Sequence, residues 1–186
     1  MTTTQPFAGS LHRLAAEETF ALREPNAPSP YAVLLHADTG NDLWVLDLEK
    51  VWRAYARHGR HVDFAVIDPQ KGWVVFVELR RTLVNEEQFF DKVNQACETI
   101  HALCVHQPYG EQHHAEARSL QTWQTALAHH ALGVCIVPAM RLKSRADQRA
   151  VCQAPDGRRI SVVVAGHLRR RPLGWSTVLA RFGVSV

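Results

Sequence analysis

The chain has 186 residues, of which 46% are hydrophobic and 21% are charged, and its formal net charge is +3. This size and composition predict one compact domain with a hydrophobic core. No run approaches the ~20 apolar residues of a membrane-spanning helix, which excludes a membrane protein of that kind. The N-terminal residues lack the basic and apolar segments of a signal peptide. We therefore expect a cytoplasmic protein that makes no membrane contact.

The chain before residue 61 predicts two helices and two short strands. The first helix spans 10–24, and its apolar residues recur at helical spacing: Leu11, Leu14, Ala15 and Leu22. The apolar runs 31–36 and 43–46 predict strands. A second helix over 47–57, ending near Gly59, follows from another apolar stripe: Leu48, Val51, Trp52 and Tyr55.

Residues 61–80 predict a β-hairpin that brings two acids together. Apolar runs at 64–67 and 73–77 flank the turn residues Pro69, Gln70, Lys71 and Gly72. Centring the turn between Gln70 and Lys71 places Asp63 opposite Glu78, and directly paired residues have Cβ atoms about 5 Å apart on one face of a sheet. Arg80, two residues beyond Glu78, points to the same side.

The hairpin is followed by an amphipathic helix over 85–104, begun by Asn85 with Gln88 in the form of a capping box. Its apolar face comprises Phe89, Phe90, Val93, Cys97, Ile100 and Cys104. A polar stripe comprises Gln88, Lys92, Gln95 and Thr99. This stripe is either part of a functional site or a solvated face.

The remaining chain predicts a helix over 115–131, strands at 133–137 and 160–165, a turn at 154–157 and a short closing helix over 175–182. The four cysteines form no CxxC pair, so we expect reduced thiols in the core.

The hairpin and helix resemble the core of the PD-(D/E)xK phosphodiesterase superfamily. The matching residues are Asp63 on the first strand, Glu78 at the end of the second, Arg80 at the lysine position, and Gln95 on the helix. The resemblance implies a restriction-endonuclease-like fold and a nuclease, a hydrolase that cuts phosphodiester bonds. It further implies that Asp63, Glu78 and the backbone carbonyl of Leu79 bind Mg²⁺ or Mn²⁺.

Arg80 departs from the pattern of the superfamily. An arginine stays charged and cannot readily accept a proton, although it can bind phosphate through two hydrogen bonds. Lys92, on the following helix, is a candidate to supply the missing lysine. General-base chemistry therefore depends on a residue other than Arg80.

Basic residues concentrate between Arg141 and Arg171, where nine lysines and arginines stand against two acids, a net charge of +7. This asymmetry predicts a polyanion-binding surface, and we expect DNA rather than RNA. The alternative for this stretch is a solvated hairpin with scattered arginines, or one that faces an acidic partner protein. Other partners open to the chain are a protein or a second copy in a homodimer. The predicted nucleic-acid contacts are Arg141, Lys143, Arg145, Arg158, Arg159, Arg169, Arg170 and Arg171.

Together these features predict one α/β domain over 1–186, with a core at 43–165, the helix 10–24 before it and a basic region at 141–186. We expect a central mixed sheet of about five strands flanked by helices. The predicted function is metal-dependent endonuclease activity. The alternative is a catalytically degenerate protein of the same fold that serves as a nucleic-acid-binding or complex-forming subunit.

Overall fold

A computed structural model of the chain describes residues 10–24, 31–54, 61–82, 85–106, 130–142, 147–168 and 171–184. The strands are β1 (Leu11–Leu14), β2 (Thr19–Arg23), β3 (Ala32–His36), β4 (Leu43–Asp47), β5 (Phe64–Asp68), β6 (Trp73–Leu79), β7 (His130–Pro138), β8 (Gln148–Gln153), β9 (Arg159–His167) and β10 (Leu173–Gly174). The α-helices are α1 (Leu48–Ala54), α2 (Glu86–His106) and α3 (Trp175–Ala180), and Ala139–Arg141 forms one turn of 3₁₀ helix. None of the helices in these ranges is long and apolar enough to cross a membrane.

The centre of the fold is a mixed seven-stranded sheet in the order β1-β4-β5-β6-β7-β9-β8. β6, β7 and β9 are parallel neighbours, and the other pairs are antiparallel. Parallel neighbours need a crossover connection, and α2 lies in the connection between β6 and β7. The predicted α/β fold with a central mixed sheet is confirmed, although the sheet has seven strands and not five.

The two faces of this sheet bury separate hydrophobic cores. α1 and α2 pack on one face, which we call the helix-covered face, through residues that include Val51, Phe89 and Val93. A second sheet, in the order β10-β3-β2, covers the other face together with α3. The expectation of flanking helices therefore holds for one face, whereas a small sheet covers much of the other.

The register of the β5–β6 hairpin agrees with the prediction. Phe64 pairs with Val77 and Asp68 pairs with Trp73. Gly72 adopts a positive φ of 71°, which a glycine reaches without strain. The Asp68 carboxylate accepts the backbone N–H of Lys71 at 3.0 Å and closes the turn. Continuing this register beyond the hairpin sets Asp63 opposite Glu78.

The predicted helix over 10–24 is wrong, because this segment forms β1 and β2. β1 pairs with β4 and β2 pairs with β3, so both strands are stabilised by partners distant in sequence. Glu17, between them, has a positive φ of 64°, which interrupts any helix at that point. Pairing with distant strands outweighs the weak helical preference of the segment.

Most other predicted elements are confirmed. They are the strands β3, β4, β7 and β9, the helices α1, α2 and α3, and the turn between β8 and β9. Asn85 caps α2, since its side chain accepts the N–H of Glu87 at 2.9 Å. The end of the helix near Gly59, residues 115–129 of the predicted helix 115–131, and the side chains of Cys104, Lys143, Arg145, Arg169 and Arg170 lie outside the described residues. The last two residues of that predicted helix belong instead to β7.

Candidate active site

Asp63 and Glu78 meet where β5 begins and β6 ends. Asp63 precedes β5, and its Oδ2 accepts the backbone N–H of Leu79 at 2.7 Å. Glu78 lies on the helix-covered face, because side chains alternate along a strand and its neighbour Phe76 belongs to that core. Both carboxyl groups are buried, and Glu78 is 0% exposed. The hairpin thus brings two acids together inside the protein.

Glu78 binds two basic side chains through the same oxygen. Its Oε1 accepts Arg80 Nε at 2.6 Å and Lys92 Nζ at 2.5 Å. Burial alone would lower the pKa of Arg80, but the charge of Glu78 and the hydrogen bond to it raise that pKa, so the guanidinium stays charged. The Lys92 side chain is 12% exposed, whereas that of Arg80 is 40% exposed. Lys92 is therefore an inner contact, and Arg80 extends toward solvent.

The other oxygen of Glu78 is the unusual feature of this cluster. Oε2 is buried and has no hydrogen-bond partner. A buried polar atom without a partner costs roughly 1–3 kcal/mol, so native proteins retain few of them without a reason. A bound cation or an ordered water at this oxygen would remove the cost.

The donor set at this point fits a small oxygen-binding cation. Arg80 donates its N–H to Ile136 of β7, and because backbone groups alternate sides along a strand, the N–H and carbonyl of Leu79 face β5 and Asp63. Mg²⁺ is commonly held by one or two carboxylates and completes its shell with water. Among the described residues, no group of three or more His, Cys, Asp or Glu side chains is arranged to hold a metal. Two carboxylates and the carbonyl of Leu79 are thus the protein ligands that this site can offer.

The pKa of Asp63 is raised from 3.8 to about 7, chiefly by burial and next by the charge of Glu78. The N–H of Leu79 and the charges of Lys92 and Arg80 act against this shift. A cation bound at the site would favour the ionised carboxylate and release a proton.

Of the two candidates on α2, the structure brings Lys92 to the carboxylates and leaves Gln95 away from them. Gln95 is exposed and makes no hydrogen bond to Asp63 or Glu78. The reason is helical phase: α2 buries Phe89, Val93 and Ala96, and Lys92 flanks this stripe while Gln95 points away from it. The predicted site role of Gln95 is not supported by its position.

The predicted basic surface is divided between the two ends of the sheet. β7 and β9 are parallel to β6, so the turn containing Arg141 and the segment containing Arg171 lie at the end where Glu78 lies. Arg159 pairs with His130 of β7, and Glu78 pairs with Cys135 of the same strand. His130 and Cys135 are about 16 Å apart along β7, so Arg159 lies far from Glu78. Arg158 is occupied by an ion pair with Asp156. Arg158 and Arg159 therefore lie at the opposite end of the sheet from Arg141 and Arg171, because β8 and β9 traverse the sheet.

Cys135, on β7, lies next to Glu78 of β6 and is not suited to nucleophilic chemistry. It is a free, buried cysteine, and burial raises the pKa of its thiol well above the usual value. Burial also raises the pKa of the Cys97 thiol, to about 12. Both act as core residues, as the sequence predicted, since the thiolate is the reactive form.

The sequence reasoning missed the turn Ala139–Arg141 that follows β7. It packs on Gly166 of β9, where an added Cβ would lie 2.8 Å from Leu142 Cδ1. The only sequence signal is a small residue within an apolar strand, which is typical of close backbone approach.

Comparisons with protein-family models, curated proteins and solved structures found no match to this chain. The resemblance to the PD-(D/E)xK superfamily therefore depends on the residues and geometry described above.

Proposed function

We propose that this chain is a divalent-metal-dependent nuclease that hydrolyses phosphodiester bonds, with DNA as the preferred substrate. The observation that carries the proposal is the unpartnered, buried Oε2 of Glu78 beside Asp63, with two basic side chains fixed on the opposite oxygen. Oε2 is the oxygen of Glu78 that no described protein group occupies, so it is the one available to a cation.

In this proposal Asp63, Glu78 and the carbonyl of Leu79 hold Mg²⁺ or Mn²⁺. Such a cation, when bound, polarises a phosphoryl oxygen and lowers the pKa of a bound water. Arg80 keeps a fixed positive charge at the edge of the site and is exposed enough to bind a phosphate. Lys92 holds Glu78 in place from α2.

We assign to Lys92 the role of the superfamily's lysine. In the superfamily pattern that lysine stands two residues after the second acid, where this chain has Arg80. It is an amine that donates a hydrogen bond to Glu78, one of the two acids proposed to hold the metal. Arg80 then serves the phosphate, and Lys92 serves the water or the leaving group. This division of roles accounts for the arginine at the position where a lysine was expected.

The test is cleavage of labelled single- and double-stranded DNA and RNA by the purified chain with Mg²⁺ or Mn²⁺. We expect metal-dependent cleavage that is lost in Asp63→Asn and Glu78→Gln. The matched control is Glu87→Gln, which changes an exposed acid on α2. Cleavage that persists at full rate in Asp63→Asn and Glu78→Gln would assign the activity to another site or to a contaminant.

The second candidate is a nucleic-acid-binding or complex-forming subunit without catalysis. It is favoured by the ion pairs of Arg80 and Lys92 with Glu78 Oε1, because these side chains compete with a metal for the same carboxylate. A protein of this kind would cleave nothing with any metal. It would also bind nucleic acid equally well after Asp63→Asn and Glu78→Gln.

A further inference from the structure

Two of the most exposed apolar side chains in the described chain lie beside the candidate site. The large exposed hydrophobic residues are Leu34, Met140, Val151 and Leu168. Met140 is 88% exposed and Leu168 is 58% exposed. Pro138 pairs with His167, so Met140 and Leu168 follow the ends of neighbouring strands, at the end of the sheet that carries Glu78. With Arg141 and Arg171, which are also exposed, they form what we call the rim.

The backbone under the rim is held in place. Leu142 is buried and donates its N–H to the carbonyl of Ala139 at 3.2 Å, which closes the turn that carries Met140 and Arg141. The turn lies directly on Gly166, where an added Cβ would be 3.1 Å from Ala139 Cα. Beside it, Arg171 donates its N–H to the carbonyl of Leu168 at 3.0 Å. Met140 is therefore presented by a fixed turn.

The rim lies within reach of a chain bound at the acids. Leu142, at the base of the turn, belongs to the hydrophobic core of the helix-covered face, as does Cys135. Cys135 pairs with Glu78. The turn and Glu78 therefore lie on the same face of the sheet. Gly166 lies two strands away from β6 and two residues beyond Val164, the residue in register with Glu78 through Cys135. These spacings place the turn about 12 Å from the backbone of Glu78. A nucleic acid bound at Glu78 that runs toward β9 would reach the rim within a few nucleotides.

We propose that the rim binds a single-stranded stretch of nucleic acid, with Met140 and Leu168 against base faces and Arg141 and Arg171 near phosphates. The inference rests on the proposed nucleic-acid function and adds a substrate class to it. A base has an apolar face that a duplex conceals in its stack and a single strand exposes. Flexible apolar side chains, methionine included, pack against unstacked bases. The two arginines supply the charge complementary to the backbone.

The test compares binding of the full chain to three labelled probes by fluorescence anisotropy. The probes are an oligothymidylate, an abasic strand of equal length, and a duplex. We expect the wild type to prefer the oligothymidylate over the abasic strand on the order of 5-fold. Met140→Ala should remove that preference and keep the salt dependence, whereas Arg141→Gln should reduce the salt dependence and keep the preference.

The matched control is Leu34→Ala, which removes an exposed apolar side chain from β3, on the opposite side of the large sheet. It should behave as the wild type. Equal affinity of the wild type for the abasic and base-bearing strands overturns the inference, as does an unchanged preference in Met140→Ala. If either result is accompanied by cleavage of the duplex, the proposed nuclease activity still holds. Absence of all nucleic-acid binding would contradict both proposals. A change of oligomeric state in Met140→Ala with unaltered base preference would assign the rim to a protein contact and overturn the inference.

Discussion

Asp63→Asn should make the folded protein more stable at alkaline pH, because the carboxylate of Asp63 is buried against a second acid. Its pKa is raised from 3.8 to about 7, first by burial and then by the charge of Glu78. The folded state therefore holds the Asp63 proton more tightly than the unfolded state does. Between about pH 4 and about pH 7, the contribution of Asp63 to the free energy of unfolding falls as the pH rises.

The size of this effect follows from the pKa shift. One pKa unit corresponds to about 1.4 kcal/mol, so a shift of about three units costs at most about 4 kcal/mol above pH 7. An asparagine has nearly the same shape, carries no charge, and can accept the N–H of Leu79 through its amide oxygen. The variant should match the wild type near pH 4 and exceed it by up to that amount near pH 8.

The measurement is urea unfolding of both proteins at several pH values across this range. Subtracting the two curves cancels the contributions of the titrating groups that do not interact with Asp63, provided that the m values agree. Adding Mn²⁺ at pH 8 should stabilise the wild type and not the variant. Parallel pH profiles, or a wild type at least as stable as the variant at pH 8, would refute the placement of Asp63 in a desolvated site facing Glu78.

Three further variants test separate parts of the site. Lys92→Met should lower the free energy of unfolding by about 2 kcal/mol in urea titrations, because buried Glu78 loses the charge of Lys92 and retains only Arg80. The double variant Lys92→Met, Glu78→Gln should recover most of that loss. Arg80→Lys should keep cleavage, whereas Arg80→Ala should lower its rate on the order of 10²-fold, and equal rates in both would remove Arg80 from the mechanism. Arg141→Gln should flatten the salt dependence of nucleic-acid binding, whereas Arg159→Gln at the opposite end should not, and equal effects would restore a single basic surface.

The hairpin could be predicted from the sequence because its determinants are local. The turn residues before Trp73 set the register, and alternation then places Glu78 and Arg80 on one side. By contrast, β1 and β2 are determined by pairing with β4 and β3. The leucines of this segment fit a helical period equally well, and no local signal in it identifies the distant partners.

The composition of the site was harder to predict than the fold of the hairpin. Whether Lys92 or Gln95 faces the acids depends on how α2 is rotated against the sheet, which the helical period alone does not determine. The division of the arginines depends on strand direction. Arg159 and Arg141 lie within the same basic stretch of sequence, but the strands β8 and β9 separate them by the length of the sheet.

Calorimetric titration with Mn²⁺ tests the central claim, that Asp63 and Glu78 form a divalent metal site, most directly. The wild type should show saturable binding near neutral pH that Glu78→Gln abolishes and the exposed control Glu87→Gln leaves unchanged. Because glutamine keeps the side-chain volume, we expect the Glu78→Gln variant to fold, and a thermal melt checks that it does. Unchanged Mn²⁺ affinity in folded Glu78→Gln would contradict the site described here.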